Sequence, residues 1–112
     1  MKSCDKLRIL GKTYRLETVD AETLESLGVD GACLTSKGRI MISDGLTDEE
    51  TRETKIHEAL HAVWSGMDIG YSHSTEEKVV TALAKGLAAL ITDNNPGAIR
   101  DLFQLADVEP GQ

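Results

Sequence analysis

The feature that most constrains this chain is a pair of histidines, four residues apart, inside a helical pattern of apolar residues. His57 and His61 enclose Glu58 in the segment HEALH. Neighbouring apolar residues recur at intervals of three and four, which indicates a helix with one buried side. These residues are Ile56, Ala59, Leu60, Val63 and Trp64. On such a helix we expect both histidines at the border of the apolar arc, with Glu58 further round and away from the core.

The predicted ends of this helix are marked by local signals. Thr47 to Glu50 reads T-D-E-E, the capping-box pattern in which the first and fourth side chains accept hydrogen bonds from backbone amides at a helix start. Gly66 predicts a helix end near Ser65.

The segments on either side indicate an α+β fold. Before residue 45, β-branched and alternating residues separated by turn signals predict strands and one short helix. The predicted elements are strands at 6–10 and 12–19, a helix from Asp20 to Leu27 with Asp20 as N-cap and Gly28 as terminator, and a hairpin of 32–35 and 39–43. Helices are predicted at about 74–92 and 96–106, with Pro96 in the first turn of the latter. This order predicts a small antiparallel sheet packed on a helical layer.

Length and charge narrow the class of protein. The chain has 112 residues, of which 40% are hydrophobic, so we expect one domain spanning 1–112. The net charge of −7 argues against binding to nucleic acid or anionic membranes. No run of about 18 apolar residues predicts a membrane helix, and no secretory signal is visible. Cys4 and Cys33 lack CxxC spacing and are expected to be free thiols in the cytoplasm.

The histidine pair indicates a metal site. Imidazoles at i and i+4 can both reach one tetrahedral zinc, and the glutamate between them can take a proton from zinc-bound water. A catalytic zinc also needs a third protein ligand and one open position. The extension HExxHxxGxxH is absent because Trp64 and Met67 stand at its last two marked positions. The third ligand must therefore come from another part of the chain.

Four residues downstream are candidates for the third ligand. They are Asp68, His73, Glu76 and Glu77. The spacing favours a glutamate on the next helix, across a loop at 67–73. That helix is predicted to bury Val80, Leu83, Leu87, Leu90 and Ile91. Glu76 projects into the middle of this stripe and Glu77 lies at its border, so Glu77 is preferred and Glu76 is the second choice. A competing interpretation is a capping box at Ser74–Glu77. In that case the Glu77 carboxylate would bind a backbone amide at the helix start and would have a structural role.

Three segments together carry a resemblance to a known family. They are Ile56–Ala62, Glu76–Leu87 and Asp93–Pro96. In these segments the chain resembles the small phage and prophage branch of the ImmA/IrrE-like zinc metallopeptidases, which are gluzincin-type proteins. The resemblance implies one zinc per chain held by His57, His61 and Glu77, with Glu58 as general base.

The resemblance also implies a zincin-like fold and a class of substrate. In such a fold an edge strand runs along the cleft and can pair with an extended substrate, and Arg39 to Ser43 is the candidate. The substrate would be a peptide or a protein, including a host or phage regulatory protein.

Three residues near the loop have further candidate roles. Either Tyr71 or His73 could donate a hydrogen bond to the oxyanion of a tetrahedral intermediate. Asp68 could orient a ligand histidine through its second ring nitrogen.

Three functions compete on these observations. The leading hypothesis is a zinc-dependent peptidase. The alternative is a non-catalytic interaction module of phage or prophage origin with the same fold. A third hypothesis is a structural zinc site closed by a fourth ligand such as His73.

Overall fold

The computed structural model describes residues 4–106, which form four strands and four α-helices. The elements are β1 (Cys4–Ile9), β2 (Lys12–Val19), α1 (Ala21–Glu25), β3 (Gly31–Leu34), β4 (Arg39–Ser43), α2 (Asp48–Met67), α3 (His73–Asp93) and α4 (Pro96–Phe103). Their order agrees with the predicted α+β arrangement of two hairpins, a short helix between them and a helical second half. None of the described helices has the length and hydropathy needed to cross a membrane.

The four strands form one mixed sheet in the order β1-β2-β4-β3. Both hairpins are antiparallel, as predicted, but β2 and β4 pair in parallel, from Arg15 opposite Arg39 to Val19 opposite Ser43. The prediction of a purely antiparallel sheet is therefore wrong. The reason is that α1 and β3 together form the connection that parallel neighbours need, since it returns the chain to the starting end of β2 before β4 begins.

Strand β4 lies in the interior of the sheet, so the prediction that Arg39–Ser43 is the edge strand is also wrong. Strand β3 is the edge on that side. Ile40 and Ile42 are fully buried, as expected from their alternation. Met41 and Ser43 are buried too, because β4 has neighbours on both sides and contacts both α1 and α2.

Helix α2 packs against both the sheet and α3. Ala62 joins Tyr14, Ile40 and Ile42 in the hydrophobic core. Glu58 lies one turn before Ala62 on the same face and is only 8% exposed. The prediction that Glu58 points away from the core is wrong, since a helix with two packed sides has a buried face outside a single apolar arc.

Helix α3 buries a narrower stripe than predicted. The buried residues are Val80, Ala84 and Ala88, whereas Leu83 is 50% exposed. The small side chains of Ala84 and Ala88 allow α3 to approach α2 closely. The helix begins at His73, and its N-cap is Ser72, whose hydroxyl accepts a hydrogen bond from the Thr75 amide at 3.3 Å. The alternative cap at Ser74–Glu77 is therefore not formed, and the Glu77 carboxylate is available to face α2.

Candidate metal centre

The HEALH segment lies in the middle of α2, which is firmly capped at its start. The Thr47 hydroxyl accepts a hydrogen bond from the Glu50 amide at 3.2 Å, and the Glu50 carboxylate accepts one from the Thr47 amide at 2.9 Å. This is the predicted capping box. The helix runs to Met67, past Gly66, and ends where Asp68 adopts a left-handed conformation with φ 51°. His57 and His61 are therefore well inside regular helix, where their spacing holds them on one face.

The structure brings His57, His61 and Glu77 together. The two histidine Nε2 atoms are 3.2 Å apart. Glu77 Oε1 lies 3.0 Å from His57 Nε2, and Glu77 Oε2 lies 2.9 Å from His61 Nε2. Within residues 4–106, this is the group of ionisable side chains whose geometry could hold a metal ion. Of the candidates for a third ligand, Glu77 is the one that reaches both Nε2 atoms.

The 3.2 Å between the two Nε2 atoms resembles the edge of a coordination tetrahedron. Ligand atoms about 2.0 to 2.1 Å from a tetrahedral zinc are separated from one another by about 3.3 Å. Each Glu77 oxygen lies close to a different ring, so the carboxylate would turn or shift to place one oxygen, or both, on a cation shared with the two histidines. Two nitrogens and one carboxylate also form a donor set that zinc commonly accepts.

Glu76 lies on the other side of the His61 ring. Its Oε2 is 2.5 Å from His61 Nδ1, so the tautomer with a proton on Nδ1 would donate to this carboxylate and leave the Nε2 lone pair free to bind a cation beside Glu77. Such a carboxylate partner on the second ring nitrogen is typical of metal-ligating histidines. Sequence reasoning missed this role and considered Glu76 only as an alternative ligand. The available signal was that adjacent helical residues point about 100° apart and can reach opposite sides of one ring.

Glu58 is buried beside the cluster. Burial raises the pKa of its carboxyl, while the nearby His57 and His61 act in the opposite direction. The structure gives Glu58 no hydrogen bond or ion pair with any residue of the described segment 4–106. A carboxyl group whose pKa is raised is a stronger proton acceptor than an ordinary carboxylate.

A cleft between α2 and the edge strand β3 gives access to the cluster. One cavity of about 360 Å³ is lined by Gly31 of β3 together with Glu58 and His61. A second cavity of about 410 Å³ shares Glu58 and His61 and is lined by Cys33 of the same strand. The strand that follows the cleft is thus β3, where Arg39–Ser43 had been expected.

The other candidate residues lie at the periphery or outside the cleft. Tyr71 is 66% exposed, and its ring packs on Trp64 with a centroid distance of 6.1 Å. His73 is exposed at the start of α3 and lines the second cavity, outside the group formed with Glu77. Asp68 is exposed at the C-cap of α2, so Glu76 occupies the orienting position proposed for it.

Cys33 is a free, half-buried thiol in the same cleft. Burial raises its pKa to about 11, and the nearby carboxylates of Glu58 and Glu76 act in the same direction. It is therefore a neutral thiol at pH 7 and a weak ligand compared with a thiolate.

No family model matches the chain, and neither the curated proteins nor the solved structures contain a match to it. The geometry around His57, His61 and Glu77 is therefore the basis for assigning a function.

Proposed function

We propose that the protein is a zinc-dependent metallopeptidase, with one zinc per chain held by His57, His61 and Glu77. The observation that carries the proposal is the convergence of two Nε2 atoms and one carboxylate within 3.2 Å of one another. The Glu76 contact to His61 Nδ1 supports it, because it directs the Nε2 lone pair toward the cluster. Three protein ligands would leave one tetrahedral position for water or substrate.

The chemistry of the chain follows from the position of Glu58. When bound, zinc supplies Lewis acidity that polarises a peptide carbonyl and makes water more acidic. Glu58 is placed beside the ligand histidines, where it takes a proton from the attacking water and passes it to the leaving amine. Its raised pKa suits a group that must hold that proton between the two steps.

The arrangement of elements is consistent with a gluzincin-type zincin of the ImmA/IrrE-like kind. The HExxH helix is followed by a helix that carries the glutamate, and an edge strand borders the cleft. Edge strands expose unpaired backbone groups that an extended peptide can bind, and β3 would serve here. The proposed substrate is a peptide or protein in the cytoplasm, including a host or phage regulatory protein.

The decisive variant is Glu58→Gln, which keeps the side-chain shape and removes the proton acceptor. We expect zinc stoichiometry to stay at one per chain while the rate of peptide hydrolysis falls about 100-fold or more. Glu49→Gln, an exposed glutamate at the start of the same helix, is the matched control and should retain full activity. Stoichiometric zinc in a His57→Ala, His61→Ala double variant would show that the metal site is assigned wrongly.

An exposed apolar surface favours a second candidate function, a non-catalytic interaction module. Leu102, Phe103 and Leu105, at and just after the end of α4, are 59%, 51% and 59% exposed. If the zinc-loaded protein hydrolyses no peptide in a diverse library but keeps its structure, this candidate replaces the first. A structural site closed by His73 would instead give a four-ligand spectrum in the cobalt-substituted protein that His73→Ala alters.

A further inference from the structure

We infer that Gly31 is a positioning residue for Glu58, because the absence of a side chain at Gly31 lets the edge strand hold this carboxyl group in the cleft. The inference rests on the proposed function of Glu58 as general base. Gly31 is the first residue of β3 and lines the cavity beside the cluster. Gly31 is not one of the glycines with positive φ, so backbone conformation does not require glycine here.

The requirement for glycine is one of space. A Cβ at position 31 would lie 2.7 Å from Thr54 Cγ2, 3.2 Å from Glu58 Cγ and 3.1 Å from the Met41 carbonyl oxygen. Carbon atoms at optimal separation are about 3.5 to 4.0 Å apart. Strand β3 and helix α2 therefore approach more closely at Gly31 than a side chain at this position would allow.

The two helix contacts act on one face of α2. Thr54 and Glu58 are four residues apart and therefore neighbours along the helix surface. A side chain at position 31 would press on the Thr54 and Glu58 side chains and force Glu58 to rotate or shift. It could not avoid this by moving toward the sheet, because the Met41 carbonyl of β4 lies in that direction.

Packing is also what restrains the Glu58 side chain. Its carboxylate has no hydrogen bond to any residue in the described part of the chain, so its position depends mainly on the packing of its methylene groups. His61 is held differently, by the Glu76 carboxylate on its second ring nitrogen. A change at Gly31 should therefore affect proton transfer more than metal binding.

The test compares Gly31→Ala with Gly86→Ala, a matched control in which the added Cβ has no atom within 4 Å. For Gly31→Ala we expect kcat to fall about 10- to 100-fold, as a small misplacement of a catalytic group can do. KM and the zinc Kd should stay within about twofold, because neither ligand nor substrate contacts are removed. Gly86→Ala should leave all three unchanged.

A compensating variant separates positioning from general damage to the fold. Thr54→Ser removes the methyl group that would make the shortest contact, so the double variant Gly31→Ala, Thr54→Ser should recover part of the lost kcat. It also keeps the test possible if Gly31→Ala alone does not fold. Failure of the double variant to recover any activity, with its fold intact, would count against the inference.

A readout independent of activity is the NMR spectrum of the metal-free protein. In Gly31→Ala we expect nuclear Overhauser contacts from the Ala methyl to the Thr54 methyl and the Glu58 γ-protons, together with changed Glu58 γ shifts. Their absence overturns the inference, as does an unchanged kcat. A rise in KM alone would assign Gly31 to peptide binding instead. If the wild-type protein hydrolyses no peptide, the proposed function is wrong. The role of Gly31 in positioning a general base is then also wrong, even if the NMR contacts are observed.

Discussion

The two adjacent glutamates at the start of α3 have different relations to the same histidine. Glu77 lies 2.9 Å from His61 Nε2 and also reaches His57, whereas Glu76 lies 2.5 Å from His61 Nδ1. A tetrahedral ion at Nε2 can bind Glu77 directly but meets Glu76 only through the imidazole ring. One carboxylate is thus placed to act as a ligand and the other to orient a ligand.

This difference predicts the order of two substitutions. Glu76→Gln should weaken zinc binding about 10- to 100-fold, since it removes the charge that orients His61. Glu77→Gln should weaken it further, because it removes the anionic ligand itself. Competition with a chelator of known affinity measures both constants, with Glu49→Gln as control. If Glu76→Gln weakens binding more than Glu77→Gln, Glu76 is the third ligand.

Among the elements, the parallel strands β2 and β4 are joined by an ion pair between Glu17 and Arg39. Arg39 donates two hydrogen bonds to the Glu17 carboxylate, from Nε at 3.1 Å and from Nη2 at 2.8 Å. Glu17 is only 9% exposed. The hydrogen bonds from Arg39 lower the pKa of Glu17, against the opposing effect of burial. This ion pair links β2 to β4. The parallel pairing of these two strands places β4 inside the sheet and β3 at its edge.

The lowered pKa makes the contribution of this pair depend on pH. The folded state favours ionised Glu17, so the stabilisation is complete above the unfolded-state pKa, about 4.3, and is lost as pH falls through the lower folded-state pKa. Arg39→Met should reduce the free energy of unfolding by about 1 to 2 kcal/mol at pH 7, and by much less at the lowest pH where the protein stays folded.

Urea unfolding of the two proteins across this pH range measures the effect. Arg15→Met is the control, because Arg15 is more exposed and lies 3.5 Å from Glu17, so its effect should be smaller. A difference between wild type and Arg39→Met that does not shrink in acid would mean that the ion pair is not the source of stability.

For the whole molecule, a cation at the cluster would join the helices α2 and α3. Three carboxylates, those of Glu58, Glu76 and Glu77, lie around the two histidines in a chain of net charge −7. Their mutual repulsion opposes close packing of the two helices, and a divalent ion would offset it. Metal binding should therefore be coupled to the stability of the entire domain.

Zinc is expected to raise the melting temperature. Zinc present at 100 times its Kd should add about 2.7 kcal/mol to the stability of the folded state, or roughly 10 °C in Tm for a domain of this size. Calorimetry with zinc and with EDTA measures the shift. The His57→Ala, His61→Ala double variant should show none, and an equal shift in that variant would place the stabilising zinc elsewhere.

Local patterns predicted much of this structure because their physical causes are local. The Thr47–Glu50 box and the two hairpins depend on hydrogen bonds between residues close in sequence, and each is present, with strand ends shifted by one or two residues in places. The burial of Glu58 and the exposure of Leu83 were predicted wrongly. The burial of each side chain depends on which elements pack against its helix. Hydrophobic periodicity alone does not show whether a helix is packed on one side or on two.

What the sequence by itself determined is the shared face of His57 and His61, since four residues make about one helical turn in any fold. Only the tertiary structure decided that Glu77 meets both rings, that Glu76 holds the far side of His61, and that β3 borders the cleft. Those relations join segments up to 46 residues apart, from Gly31 to Glu77. They arise from helix packing and from a parallel strand crossover, which no short-range pattern specifies.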